Sequence, residues 1–292
     1  MPPTPSGPSL GRETAAQGGQ QRIRTDRRFP WSHVVSGPAP QIQAPCGTEL
    51  RHLSALGPVG PERLPAVQHT VDDSAGTAVH VVTMDDGENW IDDRWLTAMH
   101  GALDDVEADD GPTSLVVTGA GKHFCNGVNV PDLLGRPPEE INALFAALFG
   151  ICARLLTFPM RTVAAVNGHA FGGGAMVAVC FDRRVMRADR GWWCIPEADL
   201  GTQLHPLMSA VLQARLPIAT AHTAITSAHR YTGAEALSAS IVDEVAQADE
   251  VVVSALRLAG AEVSKRGEAQ AALKEELYRD LVTALRDPPA LF

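Results

Sequence analysis

Three glycines in a row between an apolar β-type run and an apolar helix-type run leave a chain few options. Residues 163–201, VAAVNGHAFGGGAMVAVCFDRRVMRADRGWWCIPEADLG, contain that arrangement. The run from Val163 to Val166 enters an Asn-Gly turn at Asn167 and Gly168, and Gly172, Gly173 and Gly174 then lead straight into the helix-type segment. Only glycine lets backbone approach backbone with no Cβ in the way, and the first turn of a helix presents amides without partners of their own. Such a place can hold an anion or an oxyanion. A second β-type run follows, and just beyond it Glu197 stands in a Pro-Glu pair, a lone carboxylate able to act on whatever the glycines hold.

Each feature also has a plainer meaning: glycines before a helix make tight turns, and a Pro-Glu pair often forms a solvated cap. A second segment argues for the chemical meaning. Residues 121–134, GKHFCNGVNVPDLL, follow the β-type run Ser114–Thr118 and again place a glycine, Gly127, just before a helix start.

The order HFCNGVN, VAAVNGHAFGGG, IPEADLG resembles the crotonase superfamily, the enoyl-CoA hydratases and isomerases, over about residues 77–285. That resemblance implies an α/β fold, a spiral of ββα units closed by a C-terminal helical region, assembled as a homo-oligomer, usually a trimer. It implies an acyl-CoA thioester as substrate, with coenzyme A part of the substrate and no further cofactor or metal. Residue by residue, the backbone amides of Val128 and Gly173 would form the oxyanion hole, with Asn126, Gly127, Gly172 and Met176 around the substrate. Removing one preorganised donor of this kind costs about 2.7–4 kcal/mol of transition-state stabilisation.

Hydratases of this family carry two glutamates, one two residues after the glycine triplet and one in the Pro-Glu position. This chain keeps the second as Glu197 and has Met176 where the first would stand, and a thioether is too weak an acceptor to direct a water. A single carboxylate suits a proton shuttle from C2 to C4 of a 3-enoyl-CoA, chemistry worth roughly 10²–10⁴-fold and favoured by a carboxyl pKa raised towards neutrality. An apolar surround, from Met176, Trp192 or Trp193, would raise it. The run from Glu197 to Leu200 and the residues after it are similar to those of single-glutamate enoyl-CoA isomerases. Two alternatives stay open: hydration or another crotonase-type reaction, and a non-catalytic acyl-CoA-binding scaffold.

The remaining polar residues read as structural. Asp199 lies beside a turn, two residues ahead of Gly201, and suits a cap. Asn126 and Asn129 suit turns, and His169 and His205 stand without metal-ligand spacing. Cys125, Cys152, Cys180 and Cys194 read as small core residues of a reducing compartment. Lys122, Arg136 and Arg183 are candidates for coenzyme A phosphates.

A chain of 292 residues, 45% of them hydrophobic, can bury one substantial core. With 34 acidic against 24 basic residues its net charge of −10 disfavours nucleic acid as a partner. Residues 1–65 depart from this, holding seven arginines against four acids and 11 of the 21 prolines. Residues 1–68 are therefore expected to be a flexible extension, 69–230 the core and 231–292 a helical region. No run in the extension is long enough for a signal-peptide core or a membrane span, and an unprocessed tail on a cytoplasmic protein is the expectation, ahead of a transit peptide.

Periodicity predicts strands at Ala78–Met84, Ser114–Thr118, Thr162–Val166 and Ile241–Val245. Ile91, Trp95, Leu96, Met99, Leu103 and Val106 share one helical face, and helices are predicted over Glu139–Leu156, Leu207–Leu216, Ala219–Ser227, from Thr232, and through Glu250–Leu285.

Overall fold

The computed structural model describes residues 67–74 and 76–291, so the expected flexible extension over residues 1–68 lies almost wholly outside the described residues. An opening strand, β1 (Val67–Asp72), is followed by repeated passages of strand, short strand and helix. The first passage is β2 (Val79–Met84), β3 (Trp90–Ile91) and α1 (Asp93–Ala108). The second runs through β4 (Ser114–Gly119), β5 (His123–Cys125), β6 (Gly127–Val128), α2 (Val130–Leu133) and α3 (Pro138–Thr157). Then come β7 (Thr162–Val166), β8 (His169–Phe171) and α4 (Gly173–Cys180), and after them β9 (Arg183–Arg187), β10 (Trp193–Cys194), α5 (Glu197–Leu200) and α6 (Pro206–Arg215). The chain closes with α7 (Ile218–Ser227), α8 (Gly233–Ser238), β11 (Glu244–Ala246), α9 (Val251–Gly260), α10 (Glu268–Leu277) and α11 (Arg279–Arg286).

Each passage deposits its long strand in one sheet and its short strands elsewhere, β3 pairing with β6 and the remaining short strands forming a sheet of their own. The six-stranded sheet has the order β1-β2-β4-β7-β9-β11, and the three-stranded sheet β10-β8-β5. Every pairing in both is parallel except β1 with β2. This is the crotonase-like spiral of ββα units, and its crossovers place helices over both faces of the large sheet. Alternation along the strands divides the apolar residues accordingly. Leu115, Val117, Ala164, Val166 and Met186 face the main core with α1, α3, α4 and α6, whereas Val116, Val163, Ala165 and Val185 face Val251, Ala255 and Ala259 of α9.

The helices follow from local signals. Asp92 caps α1 by accepting from the amide of Trp95, and Trp95, Leu96, Met99, Leu103 and Val106 of the predicted apolar face are buried on it, whereas Ile91, also buried, lies ahead of the cap in β3. Helix α3 is long and apolar enough to cross a membrane by length and composition, yet Leu144, Leu148, Phe149, Ile151, Cys152, Leu155 and Leu156 all lie in the core. Thr232 and Glu235 form a capping box that starts α8.

One boundary shifts. The strand expected at Ile241–Val245 begins only at Glu244, because Ser240 turns the chain with φ +57° and delivers Ile241 and Val242 into the core first. A left-handed residue other than glycine stores about 1–2 kcal/mol. The last predicted helix is broken into α9, α10 and α11, with Gly267 at φ +136° between the first two.

Candidate active site

Two glycine turns meet at backbone distance. Gly127 has φ +86°, and a Cβ there would stand 2.6 Å from the carbonyl oxygen of Phe171 and 3.2 Å from the amide nitrogen of Gly173. A Cβ on Gly173 would in turn stand 3.5 Å from the amide nitrogen of Val128. The amides of Val128 and Gly173 therefore border one small volume. Gly174 closes the packing, since the carbonyl of Cys125 occupies the space its side chain would need.

Helix α4 opens this volume towards a ligand. Gly172 caps it with φ +48° and no side-chain hydrogen bond, and the first bond inside the helix runs from the Met176 amide to the Gly172 carbonyl at 3.0 Å. The amides of Gly173, Gly174 and Ala175 thus have no intrahelical acceptor, and the helix dipole adds partial positive charge at the same point.

Glu197 lies beside it. As the first residue of α5, behind Pro196, it brings Oε1 to 3.8 Å from the position of a Gly172 Cβ. Its Oε2 is buried and has no hydrogen-bond partner. Burial raises the carboxyl pKa above the ordinary glutamate value, and a backbone hydrogen bond offsets part of the effect. The arrangement joins preorganised amide donors to one carboxyl group that favours its protonated form more than a surface glutamate does.

Residues 74–288 match the family model for enoyl-CoA hydratase/isomerase. The chain belongs to that family. Among enoyl-CoA hydratase/isomerase relatives, the Arabidopsis thaliana protein named enoyl-CoA delta isomerase 2, peroxisomal, is 30% identical over 67% of this chain and 86% of its own length. A putative enoyl-CoA hydratase of Thermus thermophilus is 31% identical over 68% of this chain and 79% of its own. Among solved structures, two from Mycobacterium tuberculosis are 28% identical to this chain: one described as a probable enoyl-CoA hydratase, with a TM-score of 0.70 over 77% of this chain and 93% of that one, and one described as an enoyl-CoA isomerase, with a TM-score of 0.69 over 76% and 95%.

The other sequence-selected residues of this family member fall on both sides of the site wall. Met176 is fully buried in the main core. Trp193 is buried too, its indole donating to the Ala175 carbonyl at 3.1 Å, whereas Trp192 turns to the surface. Asp199 is exposed on α5. Asn126 donates its side chain to Glu88 at 3.2 Å, which commits it to the turn after β5. His205 caps α6, its Nδ1 accepting from the Leu207 amide at 3.0 Å while its ring lies against Phe145 and Phe149. Burial drives its pKa down to about 4, so it is a neutral imidazole.

The four cysteines among the described residues, Cys125, Cys152, Cys180 and Cys194, are buried thiols, with Cys125 pushed up to about 12 and Cys194 to about 11 by desolvation. Neither is poised as a thiolate nucleophile. Two of the three proposed phosphate contacts are already engaged. Arg136 pairs with Asp93 and Asp132, and Arg183 with Asp243.

Two positioning residues escaped the sequence reading. Asn89 is buried at φ +52° and donates to the carbonyls of His123 and Phe124 at 3.0 and 3.1 Å, fastening the β2–β3 turn to β5. Asn167 accepts from the Gly119 amide at 3.0 Å and so ties β4 to the turn before β8. The second carries a visible signal, the Asn-Gly pair; the first sits in a polar turn whose sequence, DDGEN, fits many solvated loops.

Proposed function

We propose that the protein moves the double bond of a 3-enoyl-CoA to the 2-position, with Glu197 as the sole proton shuttle. The observation that carries this reading is the buried, unpartnered Oε2 of Glu197 beside the glycine loop, in a chain whose other hydratase-acid position is an inaccessible methionine. The thioester oxygen sits on the amides of Val128 and Gly173. Glu197 removes a proton from C2, the electron pair spreads over C2, C3, C4 and the carbonyl oxygen, and the same carboxyl returns the proton to C4. No water enters and no atom is lost.

Each part of the site has a defined task in this sequence. The amides stabilise negative charge where it develops. Burial raises the basicity of Glu197, which brings its pKa nearer the operating pH. Gly127, Gly172 and Asn126 shape the turns that hold the donors, and Met176, within α4, anchors that helix in the main core. Hydration would need a second acid to direct a water; Asp199, the acid nearest Glu197 in sequence, faces solvent.

The test follows isotope and proton together. Purified protein should convert a 3-enoyl-CoA to the 2-enoyl-CoA in ¹⁸O-water with no label in the product, and Glu197→Gln should abolish turnover while acyl-CoA binding persists. Label in a hydroxyacyl product would overturn the isomerase reading. Binding without turnover in the unmutated protein would favour the scaffold.

A further inference from the structure

Helix α4 meets the amide pocket at its first turn, and its last turn has its own demands. All eight of its residues are buried, none in the last turn is basic, and Phe181 leaves it in extended backbone at φ −70° and ψ 152°. The last carbonyls of a helix lack an intrahelical donor, and bulk water does not reach them in a core. Two guanidinium groups from other elements serve them instead. Arg215, the last residue of α6, donates from Nε to the Val179 carbonyl at 2.7 Å and from Nη2 to the Phe181 carbonyl at 2.6 Å. Arg184 of β9 donates from Nη1 to the Phe181 carbonyl at 3.0 Å and, more weakly, to that of Val179 at 3.4 Å, while its Nε holds the Ile241 carbonyl at 2.6 Å.

A neutral donor would cap the same carbonyls at less cost than two cations side by side. Burial lowers the Arg184 pKa to about 10 against the pull of Asp243, and Arg215 adds to the fall, yet the group stays charged at neutral pH. Asp243 is shared between Arg183 and Arg184. Arg215 makes no ion pair among the described residues; its Nη1 donates to the Tyr278 hydroxyl, and its guanidinium carbon lies 5.6 Å from the centre of that ring. The two cations therefore face the negative end of the α4 dipole, and the Gly173 amide stands at the positive end. Eight helical residues span only about 12 Å. Salt screens buried charges little, so their field runs through α4 to the place where an enolate oxygen gathers charge. Arg215 also closes the segment that Glu197 opens, since α5 and α6 follow one another. Its fork thus ties the stretch bearing the acid to the helix bearing the amide.

We propose that Arg215 and Arg184 are positioning residues for the oxyanion hole: seated on the far carbonyls of α4, they hold the Gly173 amide in place relative to Glu197 and strengthen it as a donor. This rests on the reading of the Val128 and Gly173 amides as the seat of a thioester oxygen, and not on which reaction follows there.

The test is the infrared carbonyl band of a 2-enoyl-CoA, labelled with ¹³C at the thioester carbon and bound to the full chain. Hydrogen bonds to that oxygen lower the band below its position in water. Arg184 is buried, so the half-buried Arg215 is the one to vary. Arg215→Met keeps the stem and drops the charge and the fork; it should lose about half of the band's displacement, with kcat down about tenfold and KM unchanged. Arg215→Gln, which leaves a neutral donor for the carbonyls and so loosens the fold less, should lose a similar share. Arg215→Lys restores charge without the fork and should recover part of both effects. Tyr278→Phe removes only the hydroxyl beyond Arg215, so it should lower stability and leave the band where it was. A band displaced equally in Arg215→Gln and the unmutated protein, or displaced in neither, overturns the proposal. So does a loss of displacement that Tyr278→Phe shares, since general loosening would then account for it. The band needs no turnover: a protein that displaces it through Arg215 but moves no double bond would sink the isomerase reading and keep this one.

Discussion

The two sheets are laid down by the same passages of chain, yet they use opposite means of packing. Strands β4, β7 and β9 of the large sheet bury branched and small apolar side chains on both faces, and side-chain volume fills the space between sheet and helices. The small sheet has strands of two or three residues and is drawn together by glycines whose missing side chains admit neighbouring carbonyls. One is a scaffold that tolerates changes of shape; the other fixes main-chain atoms and leaves its polar groups free for a ligand. Stability and chemistry should therefore separate when the two are mutated.

The sharpest test is Gly174→Ala. Its methyl group would overlap the carbonyl of Cys125, so one turn must move, with an expected loss of about 3 kcal/mol or more in a urea melt and no measurable turnover. Gly173→Ala should behave differently. The atoms nearest its Cβ are the side-chain ends of Ile91 and Val128 and the Val128 amide, at 3.2–3.5 Å, so stability should change by under about 1 kcal/mol. Turnover should nevertheless fall by up to about 10²-fold as the donors are pushed apart. If both variants lose stability equally, the distinction between framework and site glycines fails.

In the large sheet the pattern should invert. Val116→Ala removes a fully buried side chain from the α9 face and should cost about 1–3 kcal/mol, with kcat unchanged for the protein that remains folded. Ser240→Gly, outside both sheets, should raise stability by about 0.5–1 kcal/mol by relieving a left-handed serine. A denaturant midpoint that does not rise would mean that Ser240 is unstrained.

The smallest effect is a pH dependence. Because burial raises the Glu197 pKa, the fold is relatively favoured below the ordinary glutamate range and loses that advantage as pH climbs through the raised value. Glu197→Gln has no such dependence. Its stability relative to the unmutated chain should rise across that window and then level off, while kcat/KM of the active protein rises over the same window as the base ionises. A difference in stability that is flat with pH would show that Glu197 ionises freely.

What the sequence revealed follows the same division. The strands of the large sheet and the apolar face of α1 were legible because burial on a regular element imposes a period. Glu197 and the glycine triplet were legible because few residue types can do what those positions require. The two-residue strands β3, β6 and β10 are too short to carry a period. Arg136 and Arg183 look as available in sequence as Arg190 and Arg230; only the fold reveals that the first pair has acidic neighbours and the second surrounds His169.

The covering of one face of the large sheet by α9 has a consequence for synthesis. Val116, Val163, Ala165 and Val185 cluster with Val251, Ala255 and Ala259 of α9, and Val252, Leu256 and Leu258 of the same helix pack alongside. A nascent chain can pair β4, β7 and β9 while this side is still bare, and it stays open to stray contacts until Ala259 has left the ribosome. Successful folding must therefore wait for a late segment, and a ribosome stalled before residue 251 would leave a sticky half-built sheet for chaperones to shield.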